Sequence, residues 1–244
     1  MNKKTDEIAH ANLLCGAYFA QVLSSLGLET IYFSPGSRST PLIIGIERYS
    51  NIQLIPVLDE RSAGFIALGQ SKQQNNPVGL ICTSGSALTH WFPAITEASH
   101  AGTPLLLFSA DRPPELQNCG AGQTIYQENI FGSFVRQFCQ LDVPQSNEEF
   151  KKHITTALHT AFLEATGLNP GPVHLNFPFR EPFLPASPVM IDQELKDHNL
   201  PSREISYPDS TIGISEEISS ATRPLIIAGQ DVTKNDIESW LENP

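Results

Sequence analysis

The sequence predicts an α/β fold: a doubly wound, mostly parallel sheet with helices on both faces. Three observations carry this. Strand-like and helix-like segments alternate from residue 6 to residue 177, the pattern of a helix-covered sheet. Several strands, Val78–Cys82 and Pro104–Ala110 among them, are apolar at successive positions and have no water-facing side, as parallel strands covered on both faces must be. The segments that follow the strands, at 34–40, 59–61, 83–86 and 109–113, collect glycine, serine and charge. In such sheets ligands bind beyond the carboxyl ends of the strands.

The elements follow in order. Residues 6–26 read as an amphipathic helix, with Ile8, Leu14, Phe19, Val22, Leu23 and Leu26 at helical spacing and Gly27 at the C-cap position. Thr30–Phe33 is a short strand, and a helix follows Pro41. Ile52–Leu58 reads as a strand, and Asp59-Glu60-Arg61 opens a helix to about Gln70. Val78–Cys82 is a buried strand, Leu88–Ala101 a helix and Pro104–Ala110 a third apolar strand. Ser146-Asn147-Glu148-Glu149 reads as a capping box before a helix with Phe150, Ile154, Leu158, Ala161 and Phe162 on its apolar face. Pro172–Phe177 is the last strand of the first domain, residues 1–185. Residues 186–210 read as a Pro-rich linker in extended conformation. Ile214–Ala221 and the apolar run Arg223–Gln230 then read as helix and strand, the start of a second α/β domain at 211–244. One strand cannot complete a sheet, so the expectation is a fragment cut inside that domain.

Composition narrows the class. The 244 residues suit one large domain or one and a half. With 15 Lys and Arg against 26 Asp and Glu, the net charge of −11 argues against nucleic acid and against an anionic membrane surface. No stretch approaches the roughly 18 apolar residues of a membrane span. The N-terminus has lysines but no apolar stretch behind them, against a secretory signal. The four cysteines form no C-x-x-C pair, consistent with free thiols in a reducing cytoplasm. The histidines form no H-E-x-x-H or other ligand spacing, so no metal ligands are assigned.

Each loop admits two readings on residue chemistry alone. Ser34-Pro35-Gly36-Ser37-Arg38-Ser39-Thr40 offers hydroxyls, a guanidinium and close backbone approach to an anion; it reads equally as a βα turn with an exposed arginine. Glu60 stands at a helix start, where most carboxylates merely cap; the apolar residues on either side instead suit a desolvated position. Thr83-Ser84-Gly85-Ser86 places hydroxyls and N–H groups at a helix start or simply makes Ser84 an N-cap. Without a G-x-S-x-G elbow, a serine hydrolase is disfavoured. Asp111-Arg112 either projects an arginine over the site or makes a surface pair. Gln123 and Gln127 lie in a loop longer than a simple connection needs. His174 reads as a satisfied strand residue.

Together these loops resemble a known family. Ser34–Pro41, Asp59–Phe65, Thr83–Ala87, Ala110–Leu116 and Gly122–Gln127, in this order, closely resemble the MenD family. These are the thiamine-diphosphate-dependent 2-succinyl-5-enolpyruvyl-6-hydroxy-3-cyclohexene-1-carboxylate synthases of menaquinone (in some organisms phylloquinone) biosynthesis. The likeness covers about residues 8–185 and resumes at Arg223–Gly229. His90 and Trp91 stand where the family often has Asn and an aromatic, and Gly122 where some relatives carry Asn. The resemblance implies that residues 1–185 are the pyrimidine-binding domain. It implies decarboxylation of 2-oxoglutarate on thiamine diphosphate and 1,4-addition of the succinyl carbanion to isochorismate. Glu60 matches the glutamate that contacts N1′ of the aminopyrimidine, in surroundings expected to be apolar and water-poor. Pro35, Thr83, Ser84 and Gly85 are its expected companions in cofactor binding. Arg38 and Arg112 are expected to recognise carboxylates, with Ser37 and Gln123 as hydrogen-bonding partners. Mg2+ is expected on ligands of a C-terminal domain absent from this sequence, so the fragment alone is expected to be inactive. A homodimer or dimer of dimers in the cytoplasm is implied. The alternatives are another thiamine-diphosphate decarboligase of the acetolactate-synthase type and a non-enzymatic nucleotide-binding or interaction module.

Overall fold

The alternating pattern resolves into a six-stranded, all-parallel sheet of order β2-β1-β3-β4-β6-β5. The computed structural model describes residues 3–74, 76–187, 191–196, 198, 200 and 201. The predicted helix Ile214–Ala221 and strand Arg223–Gln230 lie outside the described residues. In chain order the elements are α1 (Lys3–Ser25), β1 (Thr30–Phe33), α2 (Thr40–Tyr49), β2 (Gln53–Pro56), α3 (Glu60–Gln74) and β3 (Val78–Cys82). Then come α4 (Phe92–His100), β4 (Leu105–Asp111), β5 (Phe138–Gln140), α5 (Glu148–Thr166), β6 (Val173–Pro178) and α6 (Asp192–Lys196).

Strands β3, β4 and β6 are buried at every position, which explains the apolar runs of β3 and of Leu105–Phe108 in β4; Ser109, Asp111, His174 and Asn176 are buried with them. α1, α2 and α5 cover one face, around Phe19, Phe108, Phe162 and Phe177. Phe19 meets Phe108 and Phe177 edge-on, with ring centroids 4.7 and 5.6 Å apart. α3 and α4 cover the other face over Leu80, Leu107 and Trp91. α1 ends in a Schellman motif: the Leu28 N–H donates to Leu23 O and the Gly27 N–H to Ser24 O.

Local chemistry moved several predicted features. β2 is shorter than Ile52–Leu58, because an edge strand has one ladder partner and β1 ends at Phe33. The predicted helix Leu88–Ala101 is a 3₁₀ segment, Gly85–Trp91, followed by α4; Pro93 lacks the N–H that a continuous α-helix would use there. The capping box is not formed. Asn147, not Ser146, is the N-cap, and its Oδ1 accepts from the Phe150 N–H at 2.8 Å. Residues 192–196 of the linker are not extended: they form α6, and Ile191 just before it and Leu195 within it are buried in the core.

The chain passes from β1 outward to β2, then returns to β3 on the other side of β1. The crevice between the carboxyl ends of β1 and β3 is therefore the switch point where a doubly wound sheet takes its ligand.

Candidate functional site

The two loops flanking that crevice touch. A Cβ on Gly36 would lie 2.3 Å from Thr83 Cβ, so the loop after β1 reaches the end of β3 only because residue 36 has no side chain. Pro35 and Ser37 are exposed beside it, while Thr83, Ser84 and Gly85 are buried.

Ser84 is not a side-chain cap. Its hydroxyl donates to Gln123 O at 3.2 Å and accepts from an Nη1–H of Arg112. The Gln123 amide donates back to Ser84 O at 3.0 Å. Gly85 has φ +86°, a conformation glycine adopts freely, and a side chain there would strike Gln123 Cγ at 2.7 Å. Ser84, Gly85, Arg112 and Gln123 are thus one bonded group. The Gly85 N–H is already committed to Gln127 Oε1, at 2.9 Å.

Asp111 and Arg112 do not form the surface pair that the sequence allowed. Asp111 is 5% exposed, and burial pushes its pKa above the usual carboxylate range. Its oxygens accept from the Arg112 and Gln117 N–H groups and from the Asn176 amide. Among the described residues no carboxylate lies within 4.0 Å of the Arg112 guanidinium. Arg112 also borders a cleft of about 670 Å3 that Gln117, Gln127, Gln140 and Arg180 help to line.

Arg38 is not the exposed arginine of a simple turn. It is 4% exposed, donates to Phe179 O and to Glu181 Oε1, and lies 4.9 Å from the centroid of the Phe183 ring. Its Nε has no partner among the described residues. Desolvation first, and the like charge of Arg112 second, lower its pKa; Glu181 opposes both.

Asp59 takes the capping role considered for Glu60. Its Oδ1 accepts from the Ser62 N–H at 3.0 Å, which holds its pKa down. Glu60 is half-buried at the start of α3 and borders an open depression of about 350 Å3 with Leu58, Asp59, Arg61 and His90. It acts across the site, raising the Cys82 thiol pKa second only to burial. The closed, water-poor pocket expected around Glu60 is not formed by the described residues. Leu58 is 85% exposed, and Phe65 and Ile66 of α3 are 47% and 45% exposed.

Sequence reasoning missed a buried polar network beneath these loops. Asn176 accepts from the Ser109 hydroxyl at 2.6 Å and the Gln127 amide at 2.8 Å. It donates to Asp111 Oδ2 at 2.7 Å and Gln140 Oε1 at 2.8 Å. The signal was a lone amide in the apolar strand Val173–Pro178. His174 is only half satisfied: Nε2 meets Ser109 Oγ at 2.7 Å while Nδ1 has no partner among the described residues. Its pKa is pushed down to about 3 by burial.

Comparison with known proteins places this geometry. Residues 15–132 match the family described as thiamine pyrophosphate enzyme, N-terminal TPP binding domain. The chain is similar to the 2-succinyl-5-enolpyruvyl-6-hydroxy-3-cyclohexene-1-carboxylate synthase of Acaryochloris marina, 41% identical over 92% of this chain and 40% of that protein. The enzymes of the same name from Natronomonas pharaonis and Pelodictyon phaeoclathratiforme are 45% and 43% identical, over 72% and 89% of this chain and 30% and 39% of theirs. The chain thus spans about two fifths or less of the length of these curated relatives.

Proposed function

Because the chain belongs to the 2-succinyl-5-enolpyruvyl-6-hydroxy-3-cyclohexene-1-carboxylate synthase family of thiamine pyrophosphate enzymes, we propose that it supplies the pyrimidine-binding half of such a synthase. The complete protein decarboxylates 2-oxoglutarate and joins the resulting four-carbon unit to isochorismate. The observation that carries this reading is the Arg112 guanidinium. It sits beside the switch-point crevice, bonded to Ser84 and without a carboxylate of its own among the described residues. In a chain of net charge −11, such a cation is the natural seat for an anionic substrate. An acetolactate-type substrate pair would leave fewer carboxylates for Arg38 and Arg112.

Thiamine diphosphate, when bound, supplies the electron sink that loss of CO2 from a 2-oxo acid requires. The residues present suit it. Glu60 is not used as the helix cap, so its carboxyl group is available to hold a proton at the aminopyrimidine N1′. Pro35, Thr83, Ser84 and Gly85 form the walls of the crevice, with the backbone brought close at Gly36. Arg112 and Gln123 orient the carboxylates and oxygens of the substrates. Arg38 acts over a short range as the second cation, and Ser37 offers an exposed hydroxyl beside it. Mg2+ accompanies the cofactor diphosphate in this reading, and no residue of this chain is assigned to it. The exposed Leu58, Phe65 and Ile66 beside Glu60 support a homodimer or dimer of dimers, in which another subunit covers this apolar surface and excludes water from Glu60. Among the described residues no helix is long and apolar enough to cross a membrane; we place the enzyme in the cytoplasm. The domain division at 185 and 211 also belongs to this proposal.

The test is Glu60→Gln in the full-length protein. The change keeps shape and one hydrogen bond but removes the exchangeable acid proton. Turnover of 2-oxoglutarate with isochorismate should fall by about 10²–10⁴. Deuterium exchange at C2 of the bound cofactor should slow in parallel. Parent rates for both would overturn the assignment, and so would a parent enzyme that turns over only short neutral-tailed 2-oxo acids.

A further inference from the structure

The bonded group of Ser84, Gly85, Arg112 and Gln123 rests on loops, and loops hold a site only as well as they are tied down. Gln127 is the tie. It lies in the segment between β4 and β5, is 1% exposed, and reaches three other parts of the chain. Its Oε1 accepts from the Gly85 N–H at 2.9 Å. Its Nε2 donates to Ala110 O at 3.1 Å, next to the Asp111-Arg112 turn, and to Asn176 Oδ1 at 2.8 Å on β6. One amide therefore connects the end of β3, the end of β4 and the interior of β6.

The orientation of that amide is fixed by its neighbours. Asn176 must present Nδ2 to Asp111 Oδ2 and Gln140 Oε1, so its oxygen faces Ser109 and Gln127. The oxygen can bond to Gln127 only if Gln127 turns its Nε2 inward, which leaves Oε1 facing Gly85. The polar sequence Asp111–Asn176–Gln127–Gly85 admits one arrangement of donors and acceptors. Its two ends are the Arg112 backbone N–H, held by Asp111 Oδ1 at 2.7 Å, and the Gly85 N–H. Those are the two sides between which the Arg112 guanidinium meets Ser84.

We propose that Gln127 is a positioning residue: it sets the distance between the Ser84–Gly85 turn and the Arg112–Gln123 side of the site, and touches no substrate itself. The proposal deepens the synthase reading and rests on it for the role of Arg112 and Gln123. A purely structural glutamine would affect stability; a positioning one moves substrate kinetics more than stability or cofactor affinity.

The experiment uses the full-length protein. Gln127→Met keeps length and volume but offers no hydrogen bond. Ser71→Ala is the control: it removes a fully buried hydroxyl that donates to Pro104 O at 2.8 Å, at the opposite end of β4 from the site. Measured for each are kcat and KM with 2-oxoglutarate and isochorismate, the dissociation constant of thiamine diphosphate, the melting temperature, and hydrogen exchange at the Gly85 amide. Gln127→Met should lose about 10- to 100-fold in kcat/KM, the usual worth of a buried group left unpaired, with cofactor affinity nearly unchanged and faster Gly85 exchange. Ser71→Ala should match the parent in kinetics and at Gly85. Parent kinetics with parent exchange in Gln127→Met would overturn the proposal, as would equal losses in the two variants. If the parent does not turn over these substrates, the synthase reading falls separately, and Gly85 exchange still decides whether Gln127 fixes the turn.

Discussion

Gly36 is where one methyl group should damage the site most. Its φ of −175° is open to any residue, so the constraint is space. An added Cβ would lie 2.3 Å from Thr83 Cβ, 2.6 Å from Cγ2 and 2.8 Å from Oγ1, where carbon atoms prefer about 3.5–4.0 Å. Rotation about χ1 moves Cγ2 and Oγ1 but not Cβ. The loops after β1 and β3 must therefore part by about 1 Å or more to restore contact distance. Overpacking of this kind costs about 1–3 kcal/mol. The parting separates Pro35–Arg38 from Thr83–Gly85, and a displacement near 1 Å at a reacting site can cost about 10²-fold in rate. Gly36→Ala in the full-length protein should therefore lose both stability and kcat/KM. Thr83→Gly removes all three clashing atoms, so combined with Gly36→Ala it should recover most of the loss. The double-variant cycle should show a coupling of about 1–3 kcal/mol. Denaturant unfolding read through the fluorescence of Trp91, buried in the core, gives the stability arm, and steady-state kinetics the other. A Gly36→Ala protein as stable as its parent, or a loss that Thr83→Gly leaves untouched, would refute this reasoning.

Arg112→Ala should cost about 10- to 100-fold in substrate use, the worth of one charge-assisted contact, with little change in stability or cofactor affinity; loss of thiamine diphosphate with normal oxo-acid kinetics would count against the assignment. Arg38→Ala should cost a similar factor and also destabilise by about 1–3 kcal/mol, because Phe179 O loses its buried donor; unfolding measurements separate the two variants. His174, held down to about 3 when folded against a usual value of 6.5, leaves the unfolded chain binding more protons between those limits. Stability should thus be full above pH 6.5 and fall by up to about 1.4 kcal/mol per pH unit as pH drops towards 3. His174→Gln should flatten that slope in denaturant titrations, and an unchanged slope would show that other groups set it.

The fold was legible because its signals are one-dimensional. The apolar runs Val78–Cys82 and Leu105–Phe108 are of strand length and bounded by turn residues, the pattern of strands buried on both faces, and the helices between them carry helical spacing. Boundaries were less legible where a neighbour decides them: the end of β2 is set by β1, and the start of α4 by Pro93. The site was legible as a set of loops but not as a set of bonds. Nothing in the local sequence distinguishes Asp59 from Glu60 as the cap, or tells that Arg38 turns inward to Phe179 and Glu181, residues more than 140 positions away. The network around Asn176 was invisible for the same reason, since Gln127 and Asp111 meet it only through the sheet.

The two arginines show how that network serves the chemistry. Arg38 has a carboxylate partner in Glu181, whose side chain is 67% exposed, so its charge is partly spent inside the protein. Arg112 directly follows a carboxylate in sequence and is still left uncompensated. The reason lies beneath it: Asp111 is buried, and its oxygens are taken by the Asn176 amide, the Gln117 amide and the Arg112 backbone N–H. An aspartate so held cannot swing up to the guanidinium without leaving buried donors unpaired, at about 1–3 kcal/mol each. The buried amides thereby hold the Asp111 carboxyl group away from the Arg112 guanidinium. In an acidic protein, that separation leaves a cation at the strand ends, where the synthase reading we propose seats a substrate carboxylate.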